Sequence, residues 1–242
     1  MLTLYKSGGK MNRYNVIVLA AGQGKRMQTD QNKQFLLIDD KPIIIHTLNI
    51  YERDPNCTSI ILVIRAEEKV KIKNLLQQYS WSTPIELICG GPERQDSVYC
   101  GLQAINNQQQ LVFIHDGARP FVKQAKLNEL GEAAMRVGAA ILAVPVKDTI
   151  KQSINDELKT LDRTQLYAAQ TPQAFHYTLI SKAHEIAKRD HYYGTDDASL
   201  IERLGQRVEL INGHDLNIKI TTPEDLEFAQ FIMGQWKKTK EG

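Results

Sequence analysis

Apolar residues follow two alternating rhythms along this chain. Tyr14 to Ala21 (YNVIVLAA) is a near-continuous apolar run stopped by Gly22. Its β-branched content and glycine stop predict a parallel strand buried on both faces. Ser59 to Ile64, Ile85 to Cys89, Leu111 to His115 and Ala139 to Val146 read the same way, and Val208 to Ile211 is a weaker run. Helical spacing fills the intervals. Pro42 suits the first turn of a helix reaching about Arg53. Glu67 to Tyr79 puts Val70, Leu75, Leu76 and Tyr79 near one face. Arg94 to Ile105, Gln124 to Val137, Tyr177 to Lys188 and Asp196 to Leu204 follow. Thr222-Pro223-Glu224-Asp225 starts a last helix with a cap, a first-turn proline and acids near the positive end of the helix dipole.

Strand then helix, repeated, predicts an α/β fold: a doubly wound, mostly parallel sheet with helices on both faces. Residues 14–236 are expected to form one domain, and residues 1–13 a flexible N-terminal extension, with Met11 as an alternative start. Lys151 to Gln170 breaks the rhythm, with short polar-alternating runs around the turn Asn155-Asp156-Glu157. A hairpin that cannot bury itself often packs on a second subunit, so residues 151–170 are expected to project as a β-hairpin arm for dimerisation. An ordinary surface excursion is the alternative.

Composition narrows the function classes. A chain of 242 residues, 42% hydrophobic and 24% charged, suits one large α/β domain with a real core. Thirty basic against 28 acidic residues leave a net charge of +2, too little for general attraction to nucleic acid or membrane. An anion site must therefore be built locally. Cys57, Cys89 and Cys100 lack CxxC spacing and a nearby histidine pair, which argues against a zinc site and a disulfide framework and points to small apolar roles in a reducing compartment. No apolar run approaches the roughly 20 residues of a membrane span. The segment MLTLYKSGGK has no apolar core of signal-peptide type. Trp81 and Trp236 are not interleaved with basic residues as on a nucleic-acid surface. A cytoplasmic location is expected.

Candidate chemistry begins after the first strand, at Ala20-Ala21-Gly22-Gln23-Gly24-Lys25-Arg26-Met27. Ligands of doubly wound sheets bind outside the carboxyl ends of the strands. Glycines there let backbone N–H groups approach a phosphate, Arg26 adds a charge, and Lys33 adds another seven residues later. A dinucleotide fingerprint needs a third glycine where Met27 stands, and an acid where the second strand ends in Arg65. A P-loop needs GxxxxGK[ST], which GQGKRM does not supply. What remains is a glycine loop with trailing Arg and Lys, as nucleotidyltransferases use, or a plain Gly-x-Gly turn. Farther on, His115 reads as a core or hydrogen-bonding histidine. Asp116 at a strand end reads as a metal-side acid or a cap, and Asp196-Asp197 as helix caps.

The loop is followed in order by Lys33-Gln34-Phe35-Leu36, Gly90-Gly91-Pro92-Glu93-Arg94-Gln95-Asp96-Ser97, His115-Asp116-Gly117-Ala118-Arg119-Pro120, Val146-Lys147-Asp148-Thr149, Gln170-Thr171-Pro172-Gln173, Thr195-Asp196-Asp197-Ala198-Ser199 and Asn217-Ile218-Lys219-Ile220-Thr221. Over about Tyr14 to Ile232 this series resembles the 2-C-methyl-D-erythritol 4-phosphate cytidylyltransferases of the non-mevalonate isoprenoid pathway. The resemblance implies a Rossmann-like nucleotidyltransferase fold, a homodimer, and Mg²⁺ or another divalent cation. It implies transfer of CMP from CTP to the polyol phosphate with release of pyrophosphate. By position, Ala20, Ala21, Gly22, Gly24, Gly91, Ser97 and Asp116 would contact the nucleotide. Arg26 and Lys33 would stabilise the transition state, and Arg163 and Lys219 would position the sugar phosphate for attack. Arg119, Thr149, Thr171 and Thr195 would lie at the second substrate, and Asp116 and Asp215 near the metal.

Two departures stand out. Pro92 replaces a frequent acid and has no N–H to donate to a base, and Gly117 replaces a frequent alanine, a mild change. A ribitol-5-phosphate cytidylyltransferase shares the loop and most nucleotide motifs, whereas Asp162-Arg163-Thr164 and Ala169-Gln170-Thr171-Pro172 stand closer to the erythritol-phosphate group. A dinucleotide-dependent oxidoreductase and a non-catalytic nucleotide-binding module are the readings from other classes. Met27 speaks against the first, and the presence of both Arg26 and Lys33 against the second.

Overall fold

The computed structural model describes residues 13–22, 32–108 and 110–241. All of the expected extension but Arg13, Met11 with it, and most of the glycine loop, Gly24 and Arg26 included, lie outside them. In chain order the elements are β1 (Tyr14–Leu19), β2 (Leu37–Ile38), β3 (Lys41–Pro42), α1 (Ile43–Glu52), β4 (Cys57–Ile64), α2 (Lys69–Leu76), β5 (Ile85–Cys89), α3 (Arg94–Gln103) and β6 (Leu111–Asp116). There follow α4 (Gln124–Val137), β7 (Ala139–Pro145), β8 (Lys151–Ile154), β9 (Glu157–Thr160), β10 (Tyr167–His176), α5 (Tyr177–Arg189), α6 (Asp197–Arg203), β11 (Glu209–Asn212) and α7 (Pro223–Glu241).

The seven-stranded sheet has the order β11-β7-β10-β6-β1-β4-β5. All its pairs are parallel except those of β10, which runs antiparallel to both β6 and β7. The doubly wound, mostly parallel α/β reading therefore holds, with one strand the apolar pattern does not announce. The sequence of β10, YAAQTPQAFH, carries glutamines, a threonine and a proline where a buried strand is expected to be apolar. Its second half is nonetheless buried, because Gln170, Thr171 and Gln173 find partners inside.

Alternation along β1 explains the two main cores. Val16 and Val18 join the cluster of Ile60, Leu62 and Phe113, with residues of α1 and α4. Ile17 points the other way, with Ile61, Val63, Val112 and Ile114, against α3, α5 and α6. Successive strand side chains face opposite sides, so a strand apolar at every position fills both layers. A third cluster, with Ile38, Ile43, Phe121, Ile220, Ala229 and Ile232, seats α7.

Helix α2 buries Ile72, and Leu75, Leu76 and Tyr79 pack against the core as expected, whereas Val70 is 71% exposed and does not share their face. The segment opens with a 3-10 turn at Ala66–Glu68, so Val70 falls in the first turn of a helix that starts only at Lys69. Arm strands β8 and β9 pair around Asn155 and Asp156, both at positive φ (50° and 66°), the backbone of a tight hairpin turn. The expected arm runs only to the turn at Arg163–Gln165, since Tyr167 already belongs to the main sheet.

Helix α3 approaches the sheet closely at Gly101, where an added Cβ would lie 2.7 Å from Ile17 Cγ2 and 3.2 Å from Val63 Cγ2. Gly101→Val is expected to cost about 2–3 kcal/mol through overpacking. The check is a lowered urea midpoint with an unchanged m-value.

Candidate active site

The parallel strands β1, β4, β5 and β6 end at one edge of the sheet, and the loops leaving them wall a cavity of about 600 Å³. Backbone bonds keep those ends in step: Ala20 N–H to Val63 O (2.7 Å), Gly90 N–H to Ile64 O (2.8 Å) and Gly117 N–H to Leu19 O (2.9 Å). Ala21, Gly22, Lys33, Gly91, Ser97, Asp116 and Lys219, all expected site residues, line this one space. Pro92 lines it too, and it brings no donor to the wall. At Gly117 a Cβ would lie 2.9 Å from the Leu19 carbonyl oxygen. The glycine that looked like a mild departure thus sits in a close approach of β6 to β1.

Asp116 is the electrostatic centre. Its Oδ2 lies 2.7 Å from Lys219 Nζ and 3.9 Å from Arg119 Nε, and its Oδ1 lies 3.5 Å from Arg94 Nε. Burial alone would raise its carboxyl, but the charges of Arg94 and Lys219, the Lys219 hydrogen bond and Arg119 hold it well below the usual carboxylate range. Its backbone N–H donates to Thr171 Oγ1 at 3.0 Å. The β10–β7 ladder shifts register between Gln170 and Gln173, which frees Thr171 to make that bond. Asn217 Nδ2 donates to the Thr171 carbonyl, and Arg119 Nη1 donates to the Asn217 carbonyl at 2.7 Å. Residues nearly a hundred positions apart thus hold one carboxylate.

Other expected site residues fall elsewhere. Ala20 and Thr171 are buried, and Arg119 is half-buried, behind or beside the lining. Arg163 is exposed and donates from Nη1 to the Lys147 carbonyl at 2.7 Å. Asp215 pairs with Lys147 Nζ at 2.6 Å, and neither lines the cavity. Thr149 and Thr195 are exposed and do not line it. Cys57 is buried, Cys100 half-buried and Cys89 exposed.

His115 is fully buried, beside the Arg119 carbonyl (3.0 Å) and Thr171 Oγ1 (3.1 Å). Desolvation lowers its pKa to about 4, so it is neutral at pH 7 and serves packing and hydrogen bonding. Asp196 caps α6 by accepting the Ser199 N–H. Asp197 does not act as a cap: it is buried against Arg94 Nη1 at 2.8 Å and His184 Nε2 at 3.2 Å. Sequence reading assigned no role to Arg94, although it stands in the GGPERQDS motif next to Ser97.

Among the described residues, no group of three or more His, Cys, Asp or Glu side chains gathers as a metal cage. The cavity does carry oxygen donors suited to a hard divalent cation: the Asp116 carboxylate, and Gln34 Oε1, which is buried without a hydrogen-bond donor. Mg²⁺ is commonly held by one or two carboxylates together with substrate phosphates and water. That is the kind of site this donor set can complete.

A doubly wound sheet with glycine-bearing loops and Lys33, Arg94 and Lys219 around one cavity at its carboxyl edge defines a nucleotide-handling enzyme of the nucleotidyltransferase class. The sequence pattern of the 2-C-methyl-D-erythritol 4-phosphate cytidylyltransferase family matches residues 14–235. A relative of that description from Geobacillus kaustophilus is 52% identical over 221 residues, spanning 91% of this chain and 96% of the relative. A solved structure from Anaerococcus prevotii, described as 4-diphosphocytidyl-2C-methyl-D-erythritolsynthase, aligns with a TM-score of 0.82 at 32% identity, over 93% of this chain and 97% of that one. The bifunctional IspDF of Campylobacter jejuni aligns with a TM-score of 0.75 at 26% identity, over 89% of this chain and 53% of that one. The chain belongs to the 2-C-methyl-D-erythritol 4-phosphate cytidylyltransferase family.

Proposed function

We propose that this enzyme transfers CMP from CTP to 2-C-methyl-D-erythritol 4-phosphate and releases pyrophosphate, a step in isoprenoid precursor synthesis. One observation carries the reading: in a chain of this family, Arg94, Arg119 and Lys219 surround a single carboxylate, Asp116, in a cavity that Lys33 also lines, where a doubly wound sheet binds nucleotides. No helix of the described residues is long and apolar enough to cross a membrane. The free cysteines agree with a cytoplasmic setting.

In the proposed reaction a phosphate oxygen of the polyol phosphate forms a bond to the α-phosphorus of CTP, and the bond from that phosphorus to pyrophosphate breaks. The attacking monoester is already ionised near neutrality, because its second pKa is about 6. No side chain has to remove a proton, which suits a cavity lined by no histidine among the described residues, with His115 buried outside the lining and engaged by the Arg119 carbonyl and Thr171. The barrier is electrostatic, one anion approaching a polyanion, and fixed cations lower it. Lys33 and, from the loop outside the described residues, Arg26 supply charge at the triphosphate. Gly22, Gly91 and Ser97 shape the nucleotide wall. Lys219, held 2.7 Å from Asp116, stands ready for the incoming phosphate. A divalent cation bound through Asp116 would supply charge neutralisation on the triphosphate.

The arm belongs to this reading. Strands β8 and β9 are exposed throughout, with Ile154 57% and Leu158 71% exposed, as befits a segment that packs on a second copy of the chain. Arg163, at the base of the arm and away from its own cavity, would then serve the neighbouring subunit's polyol phosphate. Arg163→Ala is expected to raise the KM for the polyol phosphate by about tenfold to a hundredfold, with a smaller change for CTP. Steady-state kinetics with each substrate varied decides this, and the opposite pattern would move Arg163 to the triphosphate. At polyol phosphate well below the KM of the Arg163→Ala protein, mixing Arg163→Ala with Lys33→Ala chains should give more activity than the two proteins show separately, while a fully active monomer in sedimentation would rule out the shared site.

The direct test is a pyrophosphate-release assay crossing CTP, UTP and ATP with 2-C-methyl-D-erythritol 4-phosphate and ribitol 5-phosphate. Turnover is expected for CTP with the erythritol phosphate. Faster turnover with ribitol phosphate would transfer the enzyme to the alternative acceptor.

A further inference from the structure

From the cavity to the buried contact of α5 with α6 runs a line of charge that the reaction as written does not use. Asp197, at the start of α6, has a side chain only 1% exposed. It receives His184 Nε2 at 3.2 Å on Oδ1 and Arg94 Nη1 at 2.8 Å on Oδ2. Arg94 then spans to the cavity, where its Nε lies 3.5 Å from Asp116 Oδ1. Its neighbour Gln95 grips the loop before α6 from both sides of its amide, donating to the Tyr192 carbonyl and accepting the Gly194 N–H, each at 2.9 Å. A buried ion pair often contributes little net stability over well-packed apolar residues of similar volume, so the use of this one is better sought in fixing geometry.

We infer that Arg94 is a positioning residue: anchored on buried Asp197, it holds the Asp116 carboxylate by Oδ1 and leaves Oδ2 for Lys219, whose ammonium faces the incoming ligand's phosphate. The role rests on the cytidylyl-transfer reading above. A guanidinium suits it because its donors lie in a rigid planar fork and can serve two carboxylates at once. A lysine keeps the charge but is a single point donor, able to satisfy either Asp197 or Asp116. Released from Arg94, Asp116 would swing with Lys219, and the groups meant to receive the two phosphates would lose their common frame. Misplacement by about 1 Å at such a site costs on the order of 10²-fold in rate.

The test is a kinetic cycle of Arg94→Lys and Asp116→Asn, with kcat/KM for CTP at saturating polyol phosphate. Arg94→Lys alone is expected to lower kcat/KM by about 10²-fold with a melting temperature close to that of the unaltered chain. In the Asp116→Asn background the same change should cost less than about threefold, because its effect passes through the missing carboxylate. Equal penalties in both backgrounds would mean that Arg94 touches the ligand directly, and would overturn the proposal. So would a melting-temperature collapse that accounts for the lost activity. If Asp116→Asn turnover is too slow to measure, CTP affinity by calorimetry closes the cycle with the same two outcomes. Asp197→Asn approaches from the other end and should reproduce the Arg94→Lys loss; unaltered turnover there would refute the anchor. The unaltered chain is the control: no pyrophosphate release from it defeats the cytidylyl-transfer reading, whereas release from it together with an equally active Arg94→Lys defeats only the positioning role.

Discussion

Replacement of Lys33 by alanine is expected to lower kcat by about 10²- to 10³-fold, the usual cost of removing one preorganised charge from a site where negative charge develops. Lys33 follows the glycine loop in a short 3-10 turn, whose cap Asn32 accepts the Gln34 N–H and donates to Glu68 at 2.7 Å. Its ammonium lines the cavity and lies 3.4 Å from the Ile220 carbonyl, so it is held at the wall shared with Lys219. Neither that turn nor the nearby core depends on its charge, since Phe35 and Gln34 supply the burial. The melting temperature should therefore stay close to that of the unaltered chain while turnover collapses. The measurement is a paired one: thermal unfolding, and pyrophosphate release at saturating CTP and polyol phosphate. Near-normal kcat in a folded Lys33→Ala protein would remove this side chain from the mechanism.

The second large effect is acid sensitivity. His115 is buried as a neutral ring, its pKa lowered from 6.5 to about 4 by desolvation. Between those values the unfolded chain binds a proton that the folded chain does not, so stability falls as pH is lowered through the window. At about 1.36 kcal/mol per unit, the loss approaches ~3 kcal/mol by pH 4. His46, lowered chiefly by desolvation, adds in the same direction. Asp116 and Asp197 act further down. Burial opposes their ionisation, but the Arg94 charge on both, with Lys219 at Asp116 and His184 at Asp197, keeps the folded-state values low. Their contribution is complete above the unfolded carboxyl pKa of about 3.9 and drains away as pH falls through the folded values. Urea unfolding at a series of pH values should show the loss, and His115→Gln should flatten the slope between pH 6.5 and 4. An unchanged slope in that variant would assign the loss to other groups.

Much of the framework could be read before the fold was known. The strands β1, β4, β6 and β7 announce themselves because a strand buried on both faces is apolar at nearly every position, and the short apolar run of edge strand β5, though only half-buried, reads the same way. Helix α4 appears with the limits its spacing suggested, Gln124–Val137, ended by Gly138 at φ 97°. Strand β10 escaped because its polarity is satisfied by distant partners: Gln173 reaches Asp196, and Gln170 reaches the His214 carbonyl. In the sequence those residues resemble a loop. Arg94 and Asp197 escaped for a related reason. Each is a charged residue at the start of a helix, where solvent or a cap is the usual explanation, and only their 2.8 Å contact gives them a joint purpose.

Sequence alone decided the class of fold, the family and the presence of the cationic and glycine-bearing motifs, because these depend on local periodicity and on residue types in order. Only the tertiary structure decided which of those motifs share a space. It gathered Lys33, Ser97, Asp116 and Lys219 about one cavity and left Thr149, Thr195 and Asp215 off its walls. It also showed that Asp116 is held from three separate segments. Side-chain charge is written in the chain, but the distance between charges is set by how the sheet orders its strands, and Coulomb energy depends on that distance.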